Sequence, residues 1–298
     1  PEAASWRLRD KAWATDALSR LGVATSEVLA LIALRKNVES SSLEMNPILG
    51  EKAVTAWLRS APTGGIVIKP NRGYGGASVY VFREVSAEGL TAPDGTLWPI
   101  ARLLEVLRTE PLWKVERRLL QHPRLARVSG PTVGTLRMLT FLMRDGSVSL
   151  GPTVWKIPIG DSGVDHFMHG LGQYAAPVDD ETGQIGPARR WVELEPVDVH
   201  PTTGQRITGV TVPHWELAKA AVRLGATCFP EVGSIGWDVA ITADGPVVIE
   251  ANVKWAEQLT QAPGPTGLVQ GAFRQFLEER GCAGVVNLKA RDRVMGQA

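Results

Sequence analysis

The chain has 298 residues, 44% of them hydrophobic and 21% charged, with a formal net charge of +1. These values are ordinary for a globular protein, leave room for one or two domains with a substantial core, and supply no basic face of the kind nucleic acid requires. The two cysteines, Cys228 and Cys282, stand in no metal-ligand spacing and no apolar run reaches membrane length, so a reduced, cytoplasmic chain without a signal peptide and with neither membrane nor nucleic acid as partner is expected.

Along the chain, Trp6, Trp13, Ala17 and Leu21 recur at helix-like spacing, and Gly22 ends that helix; a short segment leads on toward Leu34. A second helix is predicted over 47–60, with Pro47 in its first turn. Strands at 66–69 and 78–82 flank a loop holding Gly73, Gly75 and Gly76. A helix near 100–108 and strands at 114–120, 136–143 and 148–154 follow. The stretch 158–213, rich in Gly, Pro, Asp and Thr, reads as long loops with short strands. A helix over 215–224 precedes strands at 235–242 and 246–251, which are joined at Ala243-Asp244-Gly245, and a last helix covers 268–280. Helices followed by sheet predict an α+β arrangement in two lobes, 1–112 and 113–298, with a cleft between them.

Two hairpins carry chemistry. In the late one, Asp238 stands among apolar residues, and Glu250 and Asn252 share a face because side chains repeat every second residue. Antiparallel pairing brings Asp238 near their level. Three oxygen-bearing groups on one side of a sheet suit Mg²⁺ (one or two ions, with Mn²⁺ as an alternative), although an ordinary hairpin with a solvated polar face shows the same pattern. In the early hairpin, glycines let backbone N–H groups approach phosphate oxygens, and Lys69 adds a point charge at the strand end. Strand, loop and strand match neither a Walker A loop nor a Rossmann turn, so the loop is read as a flap over a ligand, against the plainer reading of a hairpin tip. The five histidines fall within 122–214 without zinc-type spacing. Trp155, Trp237 and Trp255 read as core or cleft wall.

Taken in order, Lys11, the run from Val67 through Lys69 to Gly76, Val115-Glu116, Thr135-Leu136-Arg137 and Asp238…Glu250-Ala251-Asn252 resemble the motifs of the ATP-grasp superfamily. His200-Pro201-Thr202-Thr203-Gly204, Val212-Pro213-His214-Trp215 and Ile235-Gly236-Trp237-Asp238 are similar to its sugar-transfer-associated branch. The resemblance covers nearly the whole chain. It implies an ATP-grasp fold with ATP between two lobes. It further implies that Lys11 and Lys69 are the two nucleotide-binding lysines, Lys69 contacting the α- and β-phosphates under the Gly73, Gly75 and Gly76 flap. Glu116 would accept from the adenine amino group, and the Leu119 backbone would meet the ring edge. Arg137 and Lys156 would meet the γ-phosphate and the developing acyl phosphate, and Asp238, Glu250 and Asn252 would hold Mg²⁺. In the loop 165–172 the sequence departs from the pattern: His166 stands where Asn is expected and Leu171 interrupts the glycines, so the role of that loop stays open.

The implied reaction turns ATP and a carboxylate into an acyl phosphate and ADP, after which an amine displaces phosphate to form an amide. The acid and the amine are small molecules or peptide- or sugar-linked groups, and a homo-oligomer is left open. A kinase acting on a hydroxyl and a non-catalytic nucleotide-binding module are the alternatives.

Overall fold

The computed structural model describes residues 6–35, 45–60, 64–73, 78–160, 174–190, 195–261, 263–264 and 267–282. Its first sheet runs in the order Ile48–Leu49, Val28–Ala33, Trp113–Arg117, Ile66–Pro70, Tyr80–Phe82. Alternation along Trp113-Lys114-Val115-Glu116 sends the apolar pair to one face and the charged pair to the other. On the apolar face, Ile32, Ile66, Ile68, Trp113 and Val115 pack against the helices Glu51–Ser60 and Ile100–Leu107 through Val54, Leu58, Leu103 and Leu107. The charged face turns toward the helix Lys11–Arg20, where Lys114 Nζ donates to Thr15 Oγ1 at 2.8 Å.

The second sheet is antiparallel, in the order Arg189–Arg190, Tyr174–Val178, Thr153–Ile157, Thr135–Leu142, Ser234–Thr242, Gly245–Asn252, with Val148–Leu150 paired on Thr135–Leu142. One face buries Trp237, Val239, Ile241 and Val248 under Leu18 of Lys11–Arg20 and Val222 of Trp215–Thr227. On the other face Leu139 and Phe141 meet Phe276 of the helix Gly271–Glu279, and the same face carries Arg137, Lys156 and Asp238. The helix Lys11–Arg20 therefore joins both layers, since its Ala12 packs with Leu31, Ala33 and Leu112 of the first unit. Asp10 caps this helix, accepting from the Trp13 N–H at 3.1 Å, and Gly22 at φ +88° turns the chain away after it. Among the described residues no helix is long and apolar enough to cross a membrane.

Four expectations change. Pro47 does not open a helix: Ile48–Leu49 pairs in parallel with Val28–Ala33, which is itself a strand where only a short segment was expected, and the helix starts at Glu51 after Gly50, whose φ is +87°. The single strand expected over 148–154 is two, because Pro152 has no N–H for the ladder and a Cβ on Gly151 would lie 2.6 Å from the Phe141 ring. The boundary placed after residue 112 cuts the first sheet, whose middle strand is Trp113–Arg117. Gly75, Gly76 and the loop 165–172 lie outside the described residues.

Candidate functional site

The late hairpin brings its carboxylates to one face through an irregularity. From Thr242↔Gly245 to Val239↔Val248 the pairing is regular, and continued it would set Asp238 opposite Ile249 and turn Glu250 to the other face. A bulge between Asp238 and Val239 slips the register by one, so that Asp238 pairs with Glu250 and Gly236 with Asn252. The surplus residue, Ile249, offers its carbonyl to Lys69 Nζ of the first sheet at 3.4 Å. That contact joins the two charged faces.

Across the next strand Asp238 pairs with Arg137. Arg137 donates through Nε to Asp238 Oδ1 at 2.9 Å, through Nη2 to Oδ2 at 3.1 Å, and through Nη1 to the Trp255 carbonyl at 2.6 Å. Lys156 Nζ lies 3.2 Å from Asp238 Oδ1, and the Asn252 amide donates to Oδ2 at 3.3 Å. Burial pushes the Asp238 carboxyl up, but Arg137 and then Lys156 overcome this and hold it well below the usual carboxylate range. Gly236 makes room for the arrangement: a Cβ there would overlap Trp255 Cβ and stand 3.4 Å from Arg137 Cδ.

On the first sheet Lys69 and Lys114 are directly opposite, a repulsive juxtaposition on its own. Glu116 bridges them, with Oε2 at 2.8 Å from Lys69 Nζ and Oε1 at 2.6 Å from Lys114 Nζ, and Ser26 Oγ donates to Oε1 at 2.5 Å. Burial acts to raise the Glu116 carboxyl, yet Lys114 and Lys69 bring it down to about 2. Lys11 Nζ donates to the Gly73 carbonyl at 3.0 Å and lies 3.5 Å from Glu250 Oε1. Its helix is held there by Asn71, whose Nδ2 donates to Asp10 Oδ1 and whose Oδ1 accepts from the Ala12 N–H, each at 2.9 Å.

The structure thus gathers Lys11, Lys69, Gly73, Glu116 and Glu250 in one cluster and Arg137, Lys156, Asp238 and Asn252 in another, linked by the Asp238–Glu250 pair. Both oxygens of Glu116 are engaged by side chains, so its carboxylate orders the two lysines. Leu119 lies two residues past the end of the Trp113–Arg117 strand and is half-buried. Lys114, Ser26, Asp10 and Asn71 were missed as site residues; the signal for Lys114 was its two-residue spacing from Glu116. Trp155 and Trp237 are core, while Trp255 packs on Phe141 and Phe273.

Among the described residues no three His, Cys, Asp or Glu side chains converge as a metal centre. The expected cation set, Asp238, Glu250 and Asn252, offers two carboxylates and one amide oxygen, with Glu250 27% exposed at its side chain. Few protein oxygens and an open side fit Mg²⁺, which keeps waters and phosphate oxygens in its shell. Around them, Lys11, Lys69, Lys114, Arg137 and Lys156 outnumber Glu116, Asp238 and Glu250, a balance that suits a polyanion arriving with its metal.

The family model described as sugar-transfer associated ATP-grasp matches residues 2–275. No curated protein matches the sequence. Among solved structures, the VanG D-Ala:D-Ser ligase from Enterococcus faecalis aligns over 93% of this chain and 61% of its own, at 13% identity and a TM-score of 0.54. The D-cycloserine synthetase DcsG aligns over 94% of this chain and 72% of its own, at 17% identity and a TM-score of 0.48. The chain spans about three-fifths of the length of the first, and the likeness is one of fold.

Proposed function

The chain belongs to the sugar-transfer-associated ATP-grasp family, and on that premise we propose that it is an ATP- and Mg²⁺-dependent ligase that activates a carboxylate as an acyl phosphate and joins it to an amine. One observation carries this reading: Lys69 reaches from the first sheet to the bulged carbonyl of Ile249, so the lysines of one sheet and the acids of the other meet at one junction. The first sheet with its helices is the small lobe, and the seven-stranded sheet with its helices is the large one. The shared fold of a D-Ala:D-Ser ligase supports the ligase class.

The chemistry follows from charge. A carboxylate approaching a γ-phosphate brings like charges together, so the site must present positive charge fixed in advance. Arg137 and Lys156 meet that need, because Asp238 and the Trp255 carbonyl hold Arg137 oriented before any ligand arrives. Lys69, ordered by Glu116, and Lys11, ordered through Asp10 and Asn71, face the α- and β-phosphates from the other lobe. Asp238, Glu250 and Asn252 would hold Mg²⁺, which when bound supplies neutralisation at the β- and γ-phosphate oxygens. No serine or cysteine nucleophile is required.

The test is a panel of carboxylates and amines screened for stimulated phosphate release with ATP and Mg²⁺, followed by mass spectrometry. Release that needs both co-substrates and yields an amide supports the ligase. A stable phosphorylated hydroxyl compound formed from one co-substrate shows a kinase instead.

A further inference from the structure

Beneath the proposed nucleotide site lies a lysine that the chemistry above does not use. Lys114 has no solvent exposure. Its Nζ is 2.6 Å from Glu116 Oε1 and donates to Thr15 Oγ1 at 2.8 Å and to the Lys11 carbonyl at 3.3 Å. The other oxygen of Glu116 holds Lys69 at 2.8 Å. Contacts therefore run from the Lys11 backbone through Lys114 and Glu116 to Lys69, and both ends of the series are lysines that the proposed function assigns to the nucleotide.

A purely structural role accounts poorly for this arrangement. Lys69 alone already neutralises Glu116, so the second ammonium leaves the trio with an excess positive charge kept out of water. Such a charge is costly to bury and would be cheaper as an apolar side chain of the same length. A polyanion bound above the trio is what offsets it.

We propose that Lys114 is a positioning residue for the phosphates of a nucleoside polyphosphate: it orders Lys69 through Glu116, ties that pair to the helix that carries Lys11, and adds the charge that draws the ligand. The proposal rests on the nucleotide reading of the site and extends it to a residue that touches no substrate.

Its protonation gives a readout. Burial lowers the Lys114 ammonium to about 8, against the opposing pull of Glu116 and with added repulsion from Lys69. The groups facing it are Glu116 on its own strand, Lys69 on Ile66–Pro70, Thr15 and the Lys11 backbone on the helix, and Glu250 from the late hairpin; Leu31 lies opposite on Val28–Ala33. As pH rises through this range Lys114 loses its proton, the trio becomes neutral, and nucleotide affinity falls.

The experiment is titration calorimetry of Mg²⁺ and ADP into wild-type protein and Lys114→Met between pH 7.5 and 9.5. Expected is a roughly tenfold loss of wild-type affinity across the range, with Lys114→Met about tenfold weaker at pH 7.5 and flat thereafter. Wild-type affinity with an unchanged profile in Lys114→Met overturns the inference and leaves the nucleotide site standing. Failure of the wild-type protein to bind ADP or ATP overturns both. If Lys114→Met does not fold, Thr15→Ala carries the test: it removes an acceptor from the ammonium and no charge, so the midpoint of the affinity loss moves to lower pH, and an unmoved midpoint overturns the inference.

Discussion

Gly236→Ala probes how tightly Arg137 is held. The new methyl would overlap Trp255 Cβ, stand 3.2 Å from Trp255 Cγ and meet Arg137 Cδ at 3.4 Å. Carbon–carbon contacts settle at about 3.5–4.0 Å, so the Trp255 segment must retreat by ~1 Å or more. That segment carries the carbonyl which accepts from Arg137 Nη1 at 2.6 Å, and a retreat of this size breaks the bond. Overpacking costs roughly 1–3 kcal/mol, and a lost hydrogen bond to a charged group adds about 1.5–3 kcal/mol where no water replaces it. Stability should therefore fall by about 2.5–6 kcal/mol. Turnover should fall on the order of a hundredfold, the usual cost of a group misplaced by ~1 Å. Chemical denaturation measures the first and phosphate release with an active substrate pair the second. Wild-type stability and turnover in this variant would refute the claim that Trp255 pins Arg137 across Gly236.

Glu250→Gln keeps the side chain's shape and removes one of the two carboxylates proposed to hold the cation; expected are unchanged circular dichroism and loss of Mg²⁺-dependent ATP turnover, whereas retained turnover removes Glu250 from the site. Asp238 and Glu250 are matched by Arg137, Lys156 and Lys11, so Mn²⁺ alone should bind weakly and Mn²⁺ with ADP at least tenfold more tightly, read by electron paramagnetic resonance. Equal affinity with and without nucleotide would contradict that charge balance. Glu116 is lowered from 4.5 to about 2, so its contribution to stability is fully present above pH ~4.5 and is lost as pH falls through about 2. The urea midpoint of wild-type protein should drop more steeply than that of Glu116→Gln between pH 4.5 and 2, and parallel curves would count against the buried bridge.

The pairing of a glycine hairpin that ends in Lys69 with a hairpin bearing Asp238, Glu250 and Asn252 was legible because both are local patterns. Lys114 was legible in principle, since strand alternation sets it beside Glu116, but a lone lysine on an apolar strand carries no sign of burial. The engagement of Glu116 was not legible: Ser26 reaches it from the segment before Val28–Ala33 and Lys69 from the strand Ile66–Pro70, and only the tertiary arrangement supplies them. Nor was the bulge, because Val247-Val248-Ile249 is a uniform β-branched run with no residue that marks an irregularity. Gly151-Pro152 marks the break between Val148–Leu150 and Thr153–Ile157 in the sequence itself.

The surplus residue in the Gly245–Asn252 strand separates two tasks that look like one. A chain shortened by Ile249 would run as an unbroken ladder with the two acids still face to face. What it would lack is an outward-turned oxygen for the ammonium of the opposite layer. Loop-to-loop length in this hairpin is thus free to vary by one without separating the acids, while the grip between the two halves of the molecule is not.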